Sequence, residues 1–293
     1  MYKNCCMYFD PKTTKYPYPE YTDGHYLDVV EKTHYFFDEN YPYVDTSKKF
    51  RRKQFWIRVL LRTIVFPMAK IRFGLKVNGK KNLKTYKLEL SQGVISVTNH
   101  IHSWDYIFLM RTVKPIKTNV LVWAPNVNGP DGSSVRLVGG IPIPENNLKA
   151  TMVYYNAIDK LINQDHGWLQ IYAEGSMWEY YAPIRPFKRG SSFFAIQFNK
   201  PIMPIAYSYR KPTWIRKKIF HQPARITINV GEPIYPDNNI VDKNERELDL
   251  TRRVHERICE LAGIRPEDNI YPSIYDHSKR VDYYPRDNKD TCK

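Results

Sequence analysis

Hydrophobic and polar positions change period several times along the chain, and those changes outline its elements. Short runs of β-branched and aromatic residues predict strands over 71–77, 93–98, 118–123, 168–173, 202–207 and 225–230. Helical spacing fills the intervals. One helix follows Ser103, a candidate N-cap. Another opens at Asn146 or Asn147 and aligns Leu148, Met152, Tyr155, Ile158 and Ile162. A third covers 190–198. The last runs over 243–262, with Leu250, Val254, Ile258 and Leu261 inward and Gly263 as its stop. Strands and helices that alternate in this way predict one α/β domain with a mostly parallel central sheet flanked by helices.

The segment upstream follows a different rule. Residues 54–66 are apolar almost all round, and Arg51, Gln54, Arg58 and Arg62 share one narrow stripe. Pro67 is expected to end or kink this helix. Between positions 48 and 87 stand fourteen Lys or Arg residues and no Asp or Glu. A solvated helix face mixes both signs, so this basic amphipathic helix over 48–66 is read as a membrane-interface helix. The alternative is a core helix whose stripe faces water. In the interface reading Trp56 lies at the membrane surface. Arg58 and Arg62 reach anionic headgroups, each worth about 1 kcal/mol. Three regions result: a Tyr/Pro-rich N-terminal extension (1–47), the α/β domain with its basic helix (48–263) and a C-terminal tail (264–293).

Composition narrows the class. A chain of 293 residues can bury a core without metal or disulfide staples. Its 42% apolar and 26% charged residues exclude wholesale disorder. No run of 18 apolar residues occurs, so no ordinary spanning helix is expected. No charged n-region precedes an apolar h-region, so no signal peptide is expected. Cys5, Cys6, Cys259 and Cys292 fit neither a disulfide framework nor a zinc site, which favours a reducing compartment. Cys5 and Cys6 are candidates for lipidation, with unmodified thiols the favoured reading. The net charge of +15 implies an anionic partner: lipid, nucleic acid, an acidic carrier protein or a phosphorylated cofactor.

The chemistry concentrates after the second strand, where Asn99-His100-Ile101-His102-Ser103-Trp104-Asp105 leads into a helix. In a parallel sheet, ligands bind at the carboxyl ends of the strands. A His there, with an Asp in the first helical turn, makes a usable pair. The Asp fixes the tautomer and raises the basicity of the other nitrogen, which can then take a proton from a hydroxyl. The spacing alone is unspecific, since chance supplies about half a His-x4-Asp match in such a chain. His277 and Asp282 form a second match, without a strand before it or a helix after it. The competing reading of His100 is a satisfied structural histidine. His100 and His102 sit only two apart on a loop, and no nearby acidic or Cys partner completes a ligand set, so no metal site is expected.

Further along, Ala173-Glu174-Gly175-Ser176, Pro186-Phe187-Lys188-Arg189-Gly190, Pro201-Ile202-Met203-Pro204-Ile205-Ala206 and Val230-Gly231-Glu232-Pro233-Ile234 follow Asn99-His100 to Asp105 in order. Together these blocks resemble the glycerolipid acyltransferase family, which includes 1-acyl-glycerol-3-phosphate acyltransferases. The resemblance spans roughly residues 52–263. It implies transfer of a fatty acyl group from acyl-CoA or acyl carrier protein, as co-substrate, to a hydroxyl of a lyso-glycerolipid, with no other cofactor. It implies His100 as general base and Asp105 as its orienter, with no acyl-enzyme. No Gly-x-Ser-x-Gly elbow exists to supply one, and Ser176 reads as part of a turn. Glu174, Gly175 and Ser176 would shape the acceptor site, with backbone N–H groups near Gly175 facing the oxyanion.

Two departures bear on the acceptor. Met177 stands where the third block usually ends in Arg, and Arg185, Lys188 and Arg189 are the candidate substitutes for holding phosphate. The second block, Gly139 to Glu145 with Gly140 as a substrate-site candidate, carries no Arg; Arg136 or Lys149 are its candidate replacements. A second basic cluster, 210–218, is a candidate for the donor's phosphates or an acidic carrier. The expected setting is peripheral or monotopic, on the cytoplasmic face of an anionic membrane. Two alternatives stand beside this reading: a non-catalytic membrane-surface scaffold on the same fold, and a basic nucleic-acid-binding protein. The second is disfavoured because the basic residues surround an apolar helix.

Overall fold

The computed structural model describes residues 29–264 other than 146 and 182. The tail over 265–293, three of the four cysteines and the pair His277/Asp282 lie outside the described residues. Seven strands form one sheet: β1 (Lys76–Asn78), β2 (Val94–Thr98), β3 (Thr118–Val122), β4 (Gly140–Pro142), β5 (Trp168–Ile171), β6 (Ile202–Arg210) and β7 (Arg225–Val230). Their order is β1-β7-β6-β2-β5-β3-β4. Every pairing is parallel except β6 with β7. The mostly parallel sheet expected from the alternation is therefore present, and helices cover both faces.

β2 lies centrally, between β6 and β5, and is buried along its whole length. Its two faces serve different ends. Ile95 and Val97 join Leu169, Ile171, Leu250, Val254 and Ile258 in one apolar layer. The other face is polar within the core. Trp168 Nε1 donates to Ser96 Oγ at 2.6 Å, Ser96 Oγ meets Gln170 Oε1 at 2.5 Å, and Gln170 Nε2 donates to Thr98 Oγ1 at 2.9 Å. Every polar group of this ladder has a partner, so it pins the register of β2 on β5. The next rungs on the same face are His100 and Tyr172.

Several sequence expectations are corrected. Ile71–Phe73 is not strand; it ends the helix Phe66–Phe73. Pro67 does not stop that helix. The turn Leu61–Val65 is widened to π geometry, Phe66 N–H reaches back to Leu61 O, and Pro67 falls in the first turn beyond, where its missing N–H costs least. The helix that opens at Asn147 buries Ala150, Tyr154 and Ile158, while Leu148 and Met152 are exposed. Its sequence holds two overlapping apolar stripes, each with one Tyr, and the Tyr154 stripe turns inward against Tyr43 and Phe194. Ser103 is not a cap; the helix Asp105–Val113 starts from Trp104 with no side-chain cap. The final helix, Lys243–Ala262, matches its expected span and stops at Gly263 in the left-handed region.

The basic helix Lys48–Leu60, continued by Leu61–Val65 and Phe66–Phe73, presents three faces. Leu61, Phe66, Ala69 and Phe73 are buried in the core. Trp56, Leu60, Ile64, Met68 and Ile71 are exposed. The stripe Arg51, Gln54, Arg58 and Arg62 lines a cavity, with Arg51 and Arg62 exposed at its mouth and Gln54 and Arg58 half-buried. Arg62 donates to Pro115 O at 3.1 Å. Arg58 therefore does not project outward from the helix as a snorkelling side chain would; it turns into the cavity. The core claims the Leu61 face, which turns the arginine stripe toward the sheet edge.

Before β2 the chain turns sharply at Gly93 (φ 96°), where an added Cβ would lie 2.2 Å from Ile162 O. Gly93→Ala combines left-handed strain with a backbone clash. It should lower unfolding free energy by ~2 kcal/mol or more in urea denaturation, whereas Gly190→Ala, with open space around it, should cost far less.

Candidate active site

The site is built at the carboxyl end of β2. Asn99 fixes the strand end by exchanging two hydrogen bonds with Tyr207 of β6: Nδ2 donates to Tyr207 O at 3.0 Å, and Oδ1 accepts from Tyr207 N at 2.8 Å. The chain then wraps around one carboxylate. Asp105 is wholly buried, and its Oδ2 receives Ile101 N–H at 2.7 Å, His102 N–H at 3.0 Å and the ring of His100 through Nδ1 at 3.0 Å. Burial pushes the Asp105 carboxyl well above the usual carboxylate range, and the N–H groups of Ile101 and His102 oppose that shift in part. The Nδ1 contact leaves Nε2 of His100 as the lone-pair nitrogen.

His100 is the most open member of the pair, with about a fifth of its side chain exposed. Its ring stacks on Tyr172, with centroids 3.8 Å apart and planes at 16°. Burial lowers its pKa to about 3; Glu174 opposes that shift and Arg185 adds to it. Burial thus favours the neutral imidazole. His102 turns the other way. Its Nδ1 accepts Trp104 N–H at 3.0 Å, its Nε2 meets Glu179 at 3.3 Å, and its ring packs on Phe73 and Tyr180. Among the described residues no cluster of His, Cys, Asp or Glu could hold a metal ion.

A second brace lies behind the loop. Glu174 accepts His100 N–H at 3.3 Å and Arg185 N–H at 3.2 Å, and its Oε2 pairs with Arg185 Nη2 at 2.8 Å. Both side chains are buried. Arg185 also donates to Ser176 Oγ at 2.8 Å and to Ser176 O, and its guanidinium lies 4.4 Å over the Trp178 ring. His255, from the last helix, meets Arg185 O at 3.2 Å.

Residues 74–208, which contain this whole loop and both braces, match the sequence profile of a family described as Acyltransferase. The chain is 28% identical over 173 residues to "1-acyl-sn-glycerol-3-phosphate acyltransferase alpha" from Mus musculus, covering 57% of each. It is 22% identical over 224 residues to "1-acyl-sn-glycerol-3-phosphate acyltransferase" from Limnanthes douglasii, covering 69% of this chain and 74% of that one. Residues 74–208 are thus an acyltransferase-like segment, and the chain is similar to 1-acyl-sn-glycerol-3-phosphate acyltransferases. It spans just over half the length of the mouse relative. A solved structure, the 1-acyl-sn-glycerophosphate (LPA) acyltransferase PlsC from Thermotoga maritima, aligns with a TM-score of 0.47 and 16% identity, over 75% of this chain and 84% of that one.

In this chain the fold brings together some expected site residues and separates others. His100 and Asp105 are paired. Glu174, Gly175 and Ser176 sit beside them, but as scaffold. Glu174 is committed to Arg185 and the His100 backbone, and Ser176 is buried under Arg185. Gly175 (φ 81°) gives its own N–H to Tyr172 O at 3.0 Å, so that N–H is not an oxyanion donor. Arg185 cannot hold an acceptor phosphate, because burying a guanidinium demands a carboxylate and it already has one. Lys188 remains exposed, above Gly175. Arg189 reaches Asn244 Oδ1 at 3.3 Å, on the last helix. Gly140 begins β4, the edge strand three places across the sheet from β2 and level with Ser96 rather than His100, so it is not part of this site. Arg136 is at that edge too, bonded to Tyr43 O, Pro42 O and Gly140 O, and does not replace the second-block Arg.

The sequence reading missed Tyr172, His255 and Arg72. Tyr172 had a signal: an aromatic residue following a buried strand, two past Gln170, on the His100 face. Arg72 is exposed and lies 5.4 Å from the Phe73 ring and 6.0 Å from that of Trp104, at the edge of the His102 cluster. Removing one partner of the buried brace leaves a buried charge unpaired. Arg185→Met should cost about 3–5 kcal/mol in chemical denaturation. The double variant with Glu174→Gln should recover part of that loss.

Proposed function

We propose that the protein transfers a fatty acyl group from acyl-CoA or acyl carrier protein to the free hydroxyl of a lysophosphatidate-like glycerolipid. The observation that carries this reading is the Asp105-anchored His100, whose Nε2 is left as the acceptor nitrogen inside an acyltransferase-like segment. Nε2 takes the acceptor's hydroxyl proton as its oxygen attacks the thioester carbonyl. Asp105 stabilises the imidazolium that forms. The tetrahedral intermediate collapses with cleavage of the C–S bond, and His100 returns the proton to the departing thiolate. No acyl-enzyme forms. Lys188 and Arg72, exposed cations in no ion pair among the described residues, are the groups proposed to meet the acceptor's phosphate in place of Arg185.

The reaction is proposed to take place on the cytoplasmic face of an anionic membrane. No helix among the described residues is long and apolar enough to cross one. The outward stripe Trp56, Leu60, Ile64, Met68 and Ile71, flanked by Arg52, Lys53, Lys70 and Arg72, suits an interfacial helix. Leu60→Glu with Ile64→Glu removes two apolar side chains from that stripe, a loss of about 3 kcal/mol. Partition onto anionic vesicles should fall roughly 100-fold in co-sedimentation. The melting temperature should not change, since both positions are exposed.

The activity test is thiol release from a long-chain acyl-CoA, or from acyl carrier protein, with lyso-lipid acceptors in anionic vesicles. Wild type should release thiol only with acceptor. His100→Ala should lose at least ~10²-fold, the usual worth of a general base. A non-catalytic scaffold would bind vesicles and release no thiol in any arm. Because the neutral imidazole is the active form and its pKa is lowered to about 3, the acid limb of kcat/KM should lie well below the ordinary histidine value of 6.5. A limb near 6.5 would contradict the buried state of the His100 ring.

A further inference from the structure

A cavity of about 560 Å³ lies at the end of the sheet remote from His100. Its floor is made where strands begin: Lys117 and Asn119 at the start of β3, Gly140 at the start of β4 and Gly167 just before β5. One wall is the inner stripe of the basic helix. The four residues of β5, about 13 Å of strand, lie between Gly167 and the His100–Tyr172 stack, and Gly140 lies two strands to the side of β5, level with Gln170. The cavity is thus distinct from the proposed acyl-transfer site.

Its lining is cationic in an unusual way. Arg51, Arg58, Arg62, Lys117 and Arg136 face it, against only Asp45 and Asp165. None of the seven is in an ion pair among the described residues. Arg136 and Arg62 spend donors on backbone carbonyls, but Arg58 Nε is buried with no acceptor at all. A buried donor of this kind is costly unless something fills its place. Burial and the neighbouring Arg62 both weaken Arg58's hold on its proton, and a bound anion would reverse that. Phe50, Phe55, Val59 and Leu161 complete the lining and keep it partly apolar. The volume lies within the range of small-ligand sites.

We infer that this cavity is a second anion-binding site, which takes a phosphate monoester or pyrophosphate group between Arg58, Arg62 and Lys117. The group can come from an anionic phospholipid or from a soluble phosphate compound. The outer face of the same helix is the apolar stripe, so a lipid headgroup would reach the cavity along the helix edge. A soluble ligand would need no such stripe.

Isothermal titration of the full chain with monomeric dihexanoyl phosphatidic acid and, separately, inorganic pyrophosphate tests this. Saturable binding of the lipid alone supports the headgroup source, and binding of pyrophosphate supports the soluble source. In either case Arg58→Gln/Lys117→Gln should weaken binding about tenfold or more, Arg58→Lys should retain most of it, and Lys80→Gln, at an exposed position outside both sites, should leave it unchanged. Should the double variant fail to fold, Lys117→Glu alone, at an exposed position, should produce the same loss. The inference is overturned if neither probe binds saturably. It is equally overturned if Lys188→Gln abolishes binding while the cavity variants do not, which would place the anion at the His100 end. Neither outcome bears on thiol release, so the acyl-transfer reading stands or falls separately.

Discussion

One buried carboxylate organises the site. Asp105 sits with no exposure at the head of a helix and receives two loop N–H groups and an imidazole on the same oxygen. A carboxylate placed there without those donors would be neutralised by its surroundings. The loop can close only around it, and closing around it aims His100 Nδ1 inward and Nε2 outward. The other features of the site support that closure. Asn99 holds the strand end, Tyr172 backs the ring, and Glu174 braces the loop's own N–H. Arg185 then makes the burial of Glu174 tolerable. In this chain the conspicuous glutamate and arginine downstream of the pair serve its position.

The same logic separates the two ends of the sheet. Parallel strands gather their carboxyl ends at His100 and their amino ends beneath the basic helix. That helix meets three environments around its circumference: core on the Leu61 side, open surface on the Ile64 side, and the cationic cavity on the Arg58 side. The widened turn at 61–65 keeps it continuous past Pro67, so one rigid element borders the cavity at one end and carries Phe73 and Arg72 to the His102 cluster at the other.

The parallel sheet and the His100–Asp105 pair were legible in the sequence because both follow from local pattern: apolar runs of strand length, and a His–Asp spacing between a strand and a helix. The roles of the cations were not legible. Nothing local shows that Arg185 is paired with a glutamate eleven residues back, or that Arg136 is spent on the carbonyls of Pro42 and Tyr43. Face assignment failed for the same reason. Leu148 and Met152 lie on as good a stripe as Tyr154 and Ile158, and only packing against Phe194 and Tyr43 chooses between them. The strand β4 was missed because its three residues, Gly140–Pro142, are too few for a period to show.

The central claim is that Asp105 holds His100 as a neutral imidazole with its proton on Nδ1. Nitrogen-15 NMR of the selectively labelled full chain reads this directly at neutral pH, with His100→Ala for assignment. The account predicts a protonated Nδ1 and an unprotonated Nε2 for His100, with the ring still neutral below the ordinary histidine pKa. In Asp105→Asn that preference should be lost. An imidazolium that titrates near 6.5, or a ring with its proton on Nε2, would contradict it.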